Sequence, residues 1–197
     1  MNNDGVINNL DRVKVGNLFP TVTGGFSTTL GYKDFSLYAR FDYALGHTLY
    51  NDLAARSLGQ YQGSFNIIDM VKDSWSETNQ NTDIPKFYYA DQLSKKNITR
   101  SNNGLTAVDN NSSRFYEKGD YLALREITLT WNLPKKWINK ALMSNASVYV
   151  TGQNLFYITG YTGVSPEPAV DTTYGQGLDN GRYPTPKTVL LGLSVTF

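Results

Sequence analysis

The sequence contains no cysteine, a single histidine and few charged residues. None of its 197 residues is cysteine, and Asp, Glu, Lys and Arg together make up 18% of the chain. The absence of cysteine excludes disulfide scaffolds, thiol catalysis and cysteine-based zinc sites. The one histidine, His47, has no neighbouring carboxylates at ligand spacing, which favours a structural role over catalysis or metal binding.

Long apolar runs, a strong net charge and catalytic motifs are also missing. No apolar run reaches the length of about 18 residues that indicates a transmembrane helix. The formal net charge of +1 gives no reason to expect a nucleic-acid partner. Phosphate-binding glycine loops, catalytic triads and paired-carboxylate motifs do not occur, so we do not expect an enzyme. The N-terminal residues lack the pattern of a signal peptide.

Alternation of apolar with small or polar residues is the main feature that is present, and it predicts β-strands. In the C-terminal stretch one strand face carries Val189, Leu191, Leu193, Val195 and Phe197. The length of that stretch, about ten residues, suits a transmembrane β-strand. The pattern predicts an all-β chain with strands at residues 21–32, 35–45, 121–133, 147–158 and 187–197.

The first two strands form the clearest hairpin, joined by Lys33 and Asp34. If Tyr32 opposes Phe35, the apolar residues of both strands fall on the same face of the sheet. A slip of one residue would break that agreement, so the register is internally consistent.

Polar residues occupy the opposite face of these strands. They are Tyr38, Arg40 and Asp42 on the second strand and Glu126 on the third. Such side chains are costly in lipid and stable in a hydrated barrel interior. We therefore expect these four residues to face a lumen.

Connections between the strands alternate in length. Residues 33–34 and 134–146 are short connections, whereas 46–120 and 159–186 are long. In an up-and-down sheet the long connections then all lie at one end, which is the layout of outer-membrane barrels with short periplasmic turns and long extracellular loops. Within the first loop, apolar residues at helical spacing predict one short amphipathic helix at residues 64–75.

Aromatic residues in the first long loop are candidates for binding. Tyr61, Trp75, Phe87, Tyr88 and Tyr89 could stack on sugar rings of a substrate. The alternative is that they pack among the loops or against a lid.

The N-terminal segment resembles the latter part of a calcium-binding loop, in which oxygen ligands alternate around a glycine turn. The candidate ligands are Asn2, Asp4, the Val6 carbonyl, Asn8 and Asp11. The first ligand position would precede Met1, so either the motif is cut or the match is chance. A turn segment rich in Asn, Asp and Gly is the alternative. Structural calcium is the one cofactor that the sequence suggests.

Motifs along nearly the whole chain carry a family resemblance. They are Asp4-Gly5 through Arg12, Gly16-Asn17 and Pro20, Thr23 to Phe26, Gly119 to Leu129, Leu133-Pro134, Val148 to Phe156, Tyr161 to Gly163, Asp179 to Gly181, Tyr183-Pro184 and Pro186 to Thr188. In these the chain resembles the C-terminal part of the SusC/RagA-type TonB-linked outer-membrane transporters of Bacteroidetes. Residues 46–118 are the variable part.

The resemblance implies a plugged barrel of about 22 strands, to which this chain contributes its last strands. It implies energy-coupled import of glycans or peptides across the cell outer membrane, which the barrel crosses in many passes. The implied partners are a SusD-like surface lipoprotein acting as a lid, TonB reached through an N-terminal part, the barrel-assembly machinery and outer-membrane lipid. A terminal aromatic residue, here Phe197, resembles the signal for barrel assembly.

The chain departs from the family in lacking a plug, a TonB-contact segment and the earlier strands. We therefore expect a fragment that is not competent for transport by itself. The alternative function is a soluble extracellular all-β glycan-binding module, stabilised by calcium. The two differ in what the apolar faces contact, which is lipid in a barrel and a second sheet in a sandwich.

Overall fold

The computed structural model describes residues 3, 9–55, 57, 68–84, 86, 113–167, 177–181 and 183–197. These residues form the strands β1 (Val22–Tyr32), β2 (Phe35–Leu45), β3 (Thr48–Asn51), β4 (Tyr116–Lys118), β5 (Tyr121–Asn132), β6 (Asn145–Thr159), β7 (Leu178–Asp179) and β8 (Thr188–Thr196). They also form the short helices α1 (Asp52–Ala55) and α2 (Lys135–Ile138), with 3₁₀ turns at Asn9–Asp11, Asp69–Asp73, Ser113–Phe115 and Asn139–Ala141. Among the described helices none has the length and apolar character needed to cross a membrane.

The five long strands form one antiparallel sheet in the order β1-β2-β5-β6-β8. Each long strand pairs with the next long strand along the chain, so the sheet is up-and-down. The predicted all-β architecture with five antiparallel strands is confirmed. The long connections leave the sheet at one end, called here the loop end, and the short connections lie at the other.

The hairpin of β1 and β2 has the register that the sequence predicts. Tyr32 opposes Phe35, and the pairing continues without a shift to Val22 opposite Leu45. Lys33, the first turn residue, has a φ of 52°. Because the register holds along the whole hairpin, its apolar side chains share one face.

The apolar face of the sheet is exposed. Phe26 is 53% exposed, Ile158 62% and Leu191 79%. Within the described ranges no second sheet or long helix packs against this face. A water-soluble sandwich would have to cover it with another layer, and a contiguous exposed apolar surface of this kind indicates a membrane or protein contact.

A small sheet lies at the loop end, and the alternation pattern of the sequence does not predict it. Its strands lie in the order β4-β3-β7, with β4 antiparallel and β7 parallel to β3. The Thr48 amide donates to the Asn17 carbonyl at 2.7 Å, and the Tyr50 amide donates to the Gly177 carbonyl at 2.8 Å. Strands this short contain too few residues for alternation to be recognised, and their partners lie far apart in the sequence.

The helix predicted at residues 64–75 is wrong in its described part. Residues 64–67 lie outside the described residues, and only Asp69–Asp73 are helical, as a 3₁₀ turn. The amides of Val71 and Ser74 each bond the carbonyl three residues earlier, at 3.1 Å. The Trp75 amide then donates to the Ile84 carbonyl at 2.8 Å, so a tertiary contact replaces the helical bond that Trp75 would need.

The register between β2 and β5 shifts once, at Arg125. Phe41 opposes Leu124, and Arg40 opposes Glu126, so Arg125 has no partner on β2. An extra residue of this kind is a β-bulge, which changes the face to which the bulged residue points.

The neighbouring strand β6 carries its own extra residue at the same level. Asn154 and Leu155 together lie opposite the single residue Arg125. Asn154 adopts a φ of 52°, a left-handed conformation that asparagine tolerates better than most residues. Simple alternation places Asn154 on the apolar face. In the structure the Leu155 side chain lies there instead and packs over Gly152. Its Cδ1 atom is 2.8 Å from the position that a Cβ on Gly152 would take.

We predict that Asn154→Val lowers the free energy of unfolding by about 1–2 kcal/mol, because a β-branched residue fits the left-handed conformation poorly. Asn154→Gly should be neutral or slightly stabilising. The measurement is thermal denaturation in detergent micelles, which cover the exposed apolar face. Asn145→Val, at the start of the same strand and without a positive φ, is the control. Equal losses for the two valine variants would contradict the argument.

Candidate functional site on the polar face

The face opposite the apolar surface brings together the polar residues singled out from the sequence. Tyr38, Arg40 and Asp42 alternate along β2, and Glu126 of β5 lies opposite Arg40. The Thr128 hydroxyl donates to Glu126 Oε1 at 3.2 Å. The structure thus places all four predicted residues on one face of the sheet. That this face lines a lumen stays a prediction.

The strongest charge cluster on this face is centred on Arg125. Its Nε donates to Asp42 Oδ2 at 3.0 Å, its Nη1 donates to the Tyr157 hydroxyl at 3.3 Å, and its Nη2 lies 2.5 Å from Glu167 Oε1. The Tyr157 hydroxyl also donates to Glu167 Oε1, at 2.8 Å. Arg40 Nε lies 3.5 Å from Asp42 Oδ1. These five residues are called the arginine cluster below.

Sequence reasoning missed Arg125 as a site residue. Strict alternation places it on the same face as Ile127, and therefore on the apolar surface. The bulge instead brings its guanidinium to Asp42 on the polar face. An arginine at an apolar-face position of an alternating strand was the available signal, since a charge there is costly in lipid.

Glu167 is the member of the arginine cluster that lies in the second long loop. It belongs to neither of the flanking strands β6 and β7, and no local pattern indicates its partner. The side chains of Arg125 and Glu167 are 20% and 31% exposed, so the pair is only partly desolvated. The cluster therefore holds this loop against the wall of the sheet through a contact that solvent can reach.

His47, which directly precedes β3, contacts the same loop. The residue is 1% exposed, and its Nε2 donates to the Pro166 carbonyl at 3.0 Å. The Gly119 amide donates to the His47 carbonyl at 2.9 Å. A Cβ on Gly119 would stand 2.3 Å from Nε2, so this position requires glycine. His47 thus has a structural role at the loop end.

Two carboxylates join the loop to the small sheet. Asp179 accepts from the Tyr161 hydroxyl at 2.8 Å and from the Gly181 amide at 3.0 Å. Glu117 accepts from the Thr162 amide and hydroxyl, both at 2.8 Å. Burial, followed by the hydrogen bond to Asp179 and the negative charge of Asp179, raises the pKa of Tyr161 above its ordinary value.

Comparison with known proteins gives this geometry a context. The chain is 32% identical over its whole length to TonB-dependent receptor P26 of Formosa agariphila, and covers 19% of that protein. It is 30% identical over its whole length to TonB-dependent receptor P3 of the same organism, and covers 18% of it. The chain belongs to the TonB-dependent receptors. It spans about a fifth of the length of these relatives.

Solved structures agree with this family assignment. The structure of the RagAB peptide transporter matches 90% of the present chain with a TM-score of 0.68 and 26% sequence identity. The match covers 17% of the RagAB chain. The RagAB peptide importer in its closed-closed state matches 94% with a TM-score of 0.67 and 25% identity, over 18% of its chain. No protein-family model matches. The resemblance to SusC/RagA-type transporters is confirmed, and the sheet corresponds to the C-terminal strands of such a barrel.

Of the loop aromatics named as contact candidates, only Trp75 lies among the described residues of the receptor chain. Tyr61, Phe87, Tyr88 and Tyr89 lie outside them. Trp75 is 37% exposed, and Lys86 Nζ lies 6.0 Å from its ring centroid. Residues close to Trp75 in the sequence line an open groove of about 750 Å³ together with Arg114. They are Met70, Asp73, Asn79, Gln80, Asn81, Thr82, Asp83 and Ile84.

The candidate calcium ligands are mostly beyond what the structure describes. Asn2, Asp4, Val6 and Asn8 lie outside the described residues, and Asp11 ends a 3₁₀ turn. In the described parts of the chain, no group of three or more His, Cys, Asp or Glu residues is placed to hold a metal ion. The calcium site stays a prediction.

Phe197 follows β8 directly, at the short-turn end of the sheet, and is 88% exposed. Other aromatic residues lie at the same end. The Phe35 and Trp131 rings stack with centroids 6.1 Å apart, and Trp137 meets Trp131 edge-on at 5.9 Å. The receptor chain thus carries an aromatic group where its short turns are.

We predict that Tyr161→Phe lowers the free energy of unfolding by about 1–3 kcal/mol, since it removes a donor from the buried Asp179 carboxylate. The raised pKa of Tyr161 means that this contribution is complete below a pH of about 10, the ordinary tyrosine pKa, and declines at higher pH. The melting-temperature gap between wild type and variant should therefore be larger at pH 8 than at pH 11. Tyr183→Phe, at an exposed tyrosine, is the control, and a gap that widens with pH would refute the assignment.

Proposed function

We propose that this chain forms part of the wall of an outer-membrane barrel that imports nutrients with energy supplied through TonB. The observation that carries the proposal is a single five-stranded sheet with one exposed apolar face and one polar face that bears charges. A membrane barrel uses these two faces for lipid and for a hydrated lumen, respectively. Membership of the TonB-dependent receptors supports the same function.

The orientation follows from the lengths of the connections. The loop end is extracellular and the short turns are periplasmic, as is usual for such barrels. Tyr38, Arg40, Asp42 and Glu126 then face the lumen, and the chain crosses the outer membrane once with each long strand. Phe35, Trp131 and Trp137 lie where an aromatic girdle meets the periplasmic interface.

Peptides or glycans are the proposed substrates, and RagAB is named as a peptide importer. A SusD-like surface lipoprotein would cover the loop end, where the small sheet and the second long loop are tied together. TonB would act through another part of the receptor, and the barrel-assembly machinery would recognise Phe197. A soluble glycan-binding module is less well supported, because nothing in the described residues covers the apolar face.

Fractionation of the native cell tests the location. An antibody against residues 46–118 should detect the protein in the outer membrane, as a band whose mobility changes on heating because folded barrels resist SDS. Deletion of the gene should reduce uptake of a labelled oligopeptide or oligosaccharide. A band in the soluble fraction without heat-dependent mobility would overturn the proposal.

We predict that Leu191→Arg strongly reduces the amount of folded receptor, whereas Ser194→Arg does not. The two residues lie on opposite faces of β8, and Leu191 is 79% exposed on the apolar face. An arginine facing lipid near the middle of the bilayer costs about 2–4 kcal/mol, but an arginine in a lumen costs little. The ratio of folded to unfolded bands in outer-membrane extracts measures the effect. Equal loss in both variants would argue against a lipid-facing surface.

A further inference from the structure

We propose that Arg125 and Tyr157 form a carboxylate-binding site on the transport pathway, which Glu167 occupies in this structure and which a carboxylate of the transported molecule takes over. The inference rests on the proposed function, since it needs the polar face to line the path. The ligand is identified by its chemistry alone. The carboxylate could belong to a peptide C-terminus or to a uronic acid of an oligosaccharide.

The donors of this site converge on one point. Arg125 Nη2 and the Tyr157 hydroxyl lie 2.5 Å and 2.8 Å from the same atom, Glu167 Oε1. Asp42 holds the guanidinium in position through Nε at 3.0 Å. The bulge sets the direction of the arginine side chain, so the site does not depend on Glu167 for its shape. A guanidinium combined with a hydroxyl donor is well suited to binding a carboxylate.

The occupant can leave without unfolding its loop. Only the side chain of Glu167 enters the site, while the backbone beside it is held separately by the His47 contact to the Pro166 carbonyl, at 3.0 Å. The pair is also partly open to solvent, with side chains 20% and 31% exposed. Because solvent reaches the pair, a carboxylate from outside can approach the same donors and compete with Glu167.

The charge balance sets the selectivity. With Glu167 in place, Arg40 and Arg125 face the carboxylates of Asp42 and Glu167. When Glu167 swings away, one positive charge and the Tyr157 donor lose their partner. A free carboxylate restores both interactions, whereas the corresponding neutral amide or ester restores only a hydrogen bond. The site should therefore select acids over their neutral derivatives.

Equilibrium binding to the intact receptor, purified in detergent with any lid protein that accompanies it, tests the proposal. The probes are tetraglycine against tetraglycine amide, and trigalacturonic acid against its methyl ester, so that the two arms separate the peptide and sugar sources. We expect one free acid to bind better than its neutral partner. Glu167→Gln should tighten binding of that acid about fivefold or more, because the internal competitor loses its charge, and should affect its neutral partner less, since that probe gains only a hydrogen bond.

Variants of the donors complete the test. Arg125→Gln should abolish the preference for the acid, and Tyr157→Phe, which keeps the arginine and its ion pairs, should weaken acid binding about twofold to fivefold. Lys33→Gln, in the turn at the opposite end of the sheet, and Glu77→Gln, outside the cluster, are charge-matched controls that should change nothing.

Two results would overturn the site. One is equal affinity of acid and neutral probes in wild type and Glu167→Gln, and the other is acid binding that Glu167→Gln does not tighten. Either result leaves the transporter function standing if the receptor is still found in the outer membrane and deletion of its gene still reduces uptake. Absence from the outer membrane would instead refute the proposed function itself.

Discussion

Consistent pairing of the five long strands is the constraint on which the rest of the structure depends. Side chains alternate between faces with a period of two, so a slip of one residue in any pair would move a whole apolar set to the polar face. The hairpin of β1 and β2 holds its register from Tyr32 to Val22. Because β5, β6 and β8 pair with their apolar faces aligned on both sides of the bulge, the chain presents one apolar surface and one polar surface.

The bulge at Arg125 is where this constraint is relaxed and where the candidate site is formed. β5 has one extra residue relative to β2, and β6 has one extra residue relative to β5. The apolar side chains of the three strands therefore share one face both before and after the irregularity. Between them a guanidinium reaches the polar face and binds Asp42, Tyr157 and Glu167. A departure from regular pairing thus brings to the polar face a charge that a regular strand would have placed on the apolar face.

In the described residues, carboxylates and backbone hydrogen bonds organise the loop end beside a few buried apolar side chains such as Leu49 and Tyr50. Asp179 and Glu117 tie the second long loop to the small sheet, while His47 and Arg125 hold it near the strand ends. Several independent contacts thus hold the described part of this loop in one position. Function in such proteins is concentrated in loops positioned by a rigid scaffold.

The sequence by itself determined the five long strands, the hairpin register, the two faces and the end at which the long loops lie, because period-two alternation is a local signal. The shared face of Arg40, Asp42 and Glu126 follows from the same signal. Only the tertiary structure decided the small sheet, the 3₁₀ turn at Asp69–Asp73 in place of a longer helix, and the arginine cluster. Each of these depends on partners distant in sequence, such as Glu167 for Arg125 and Ile84 for Trp75, and on a bulge that no alternation pattern encodes.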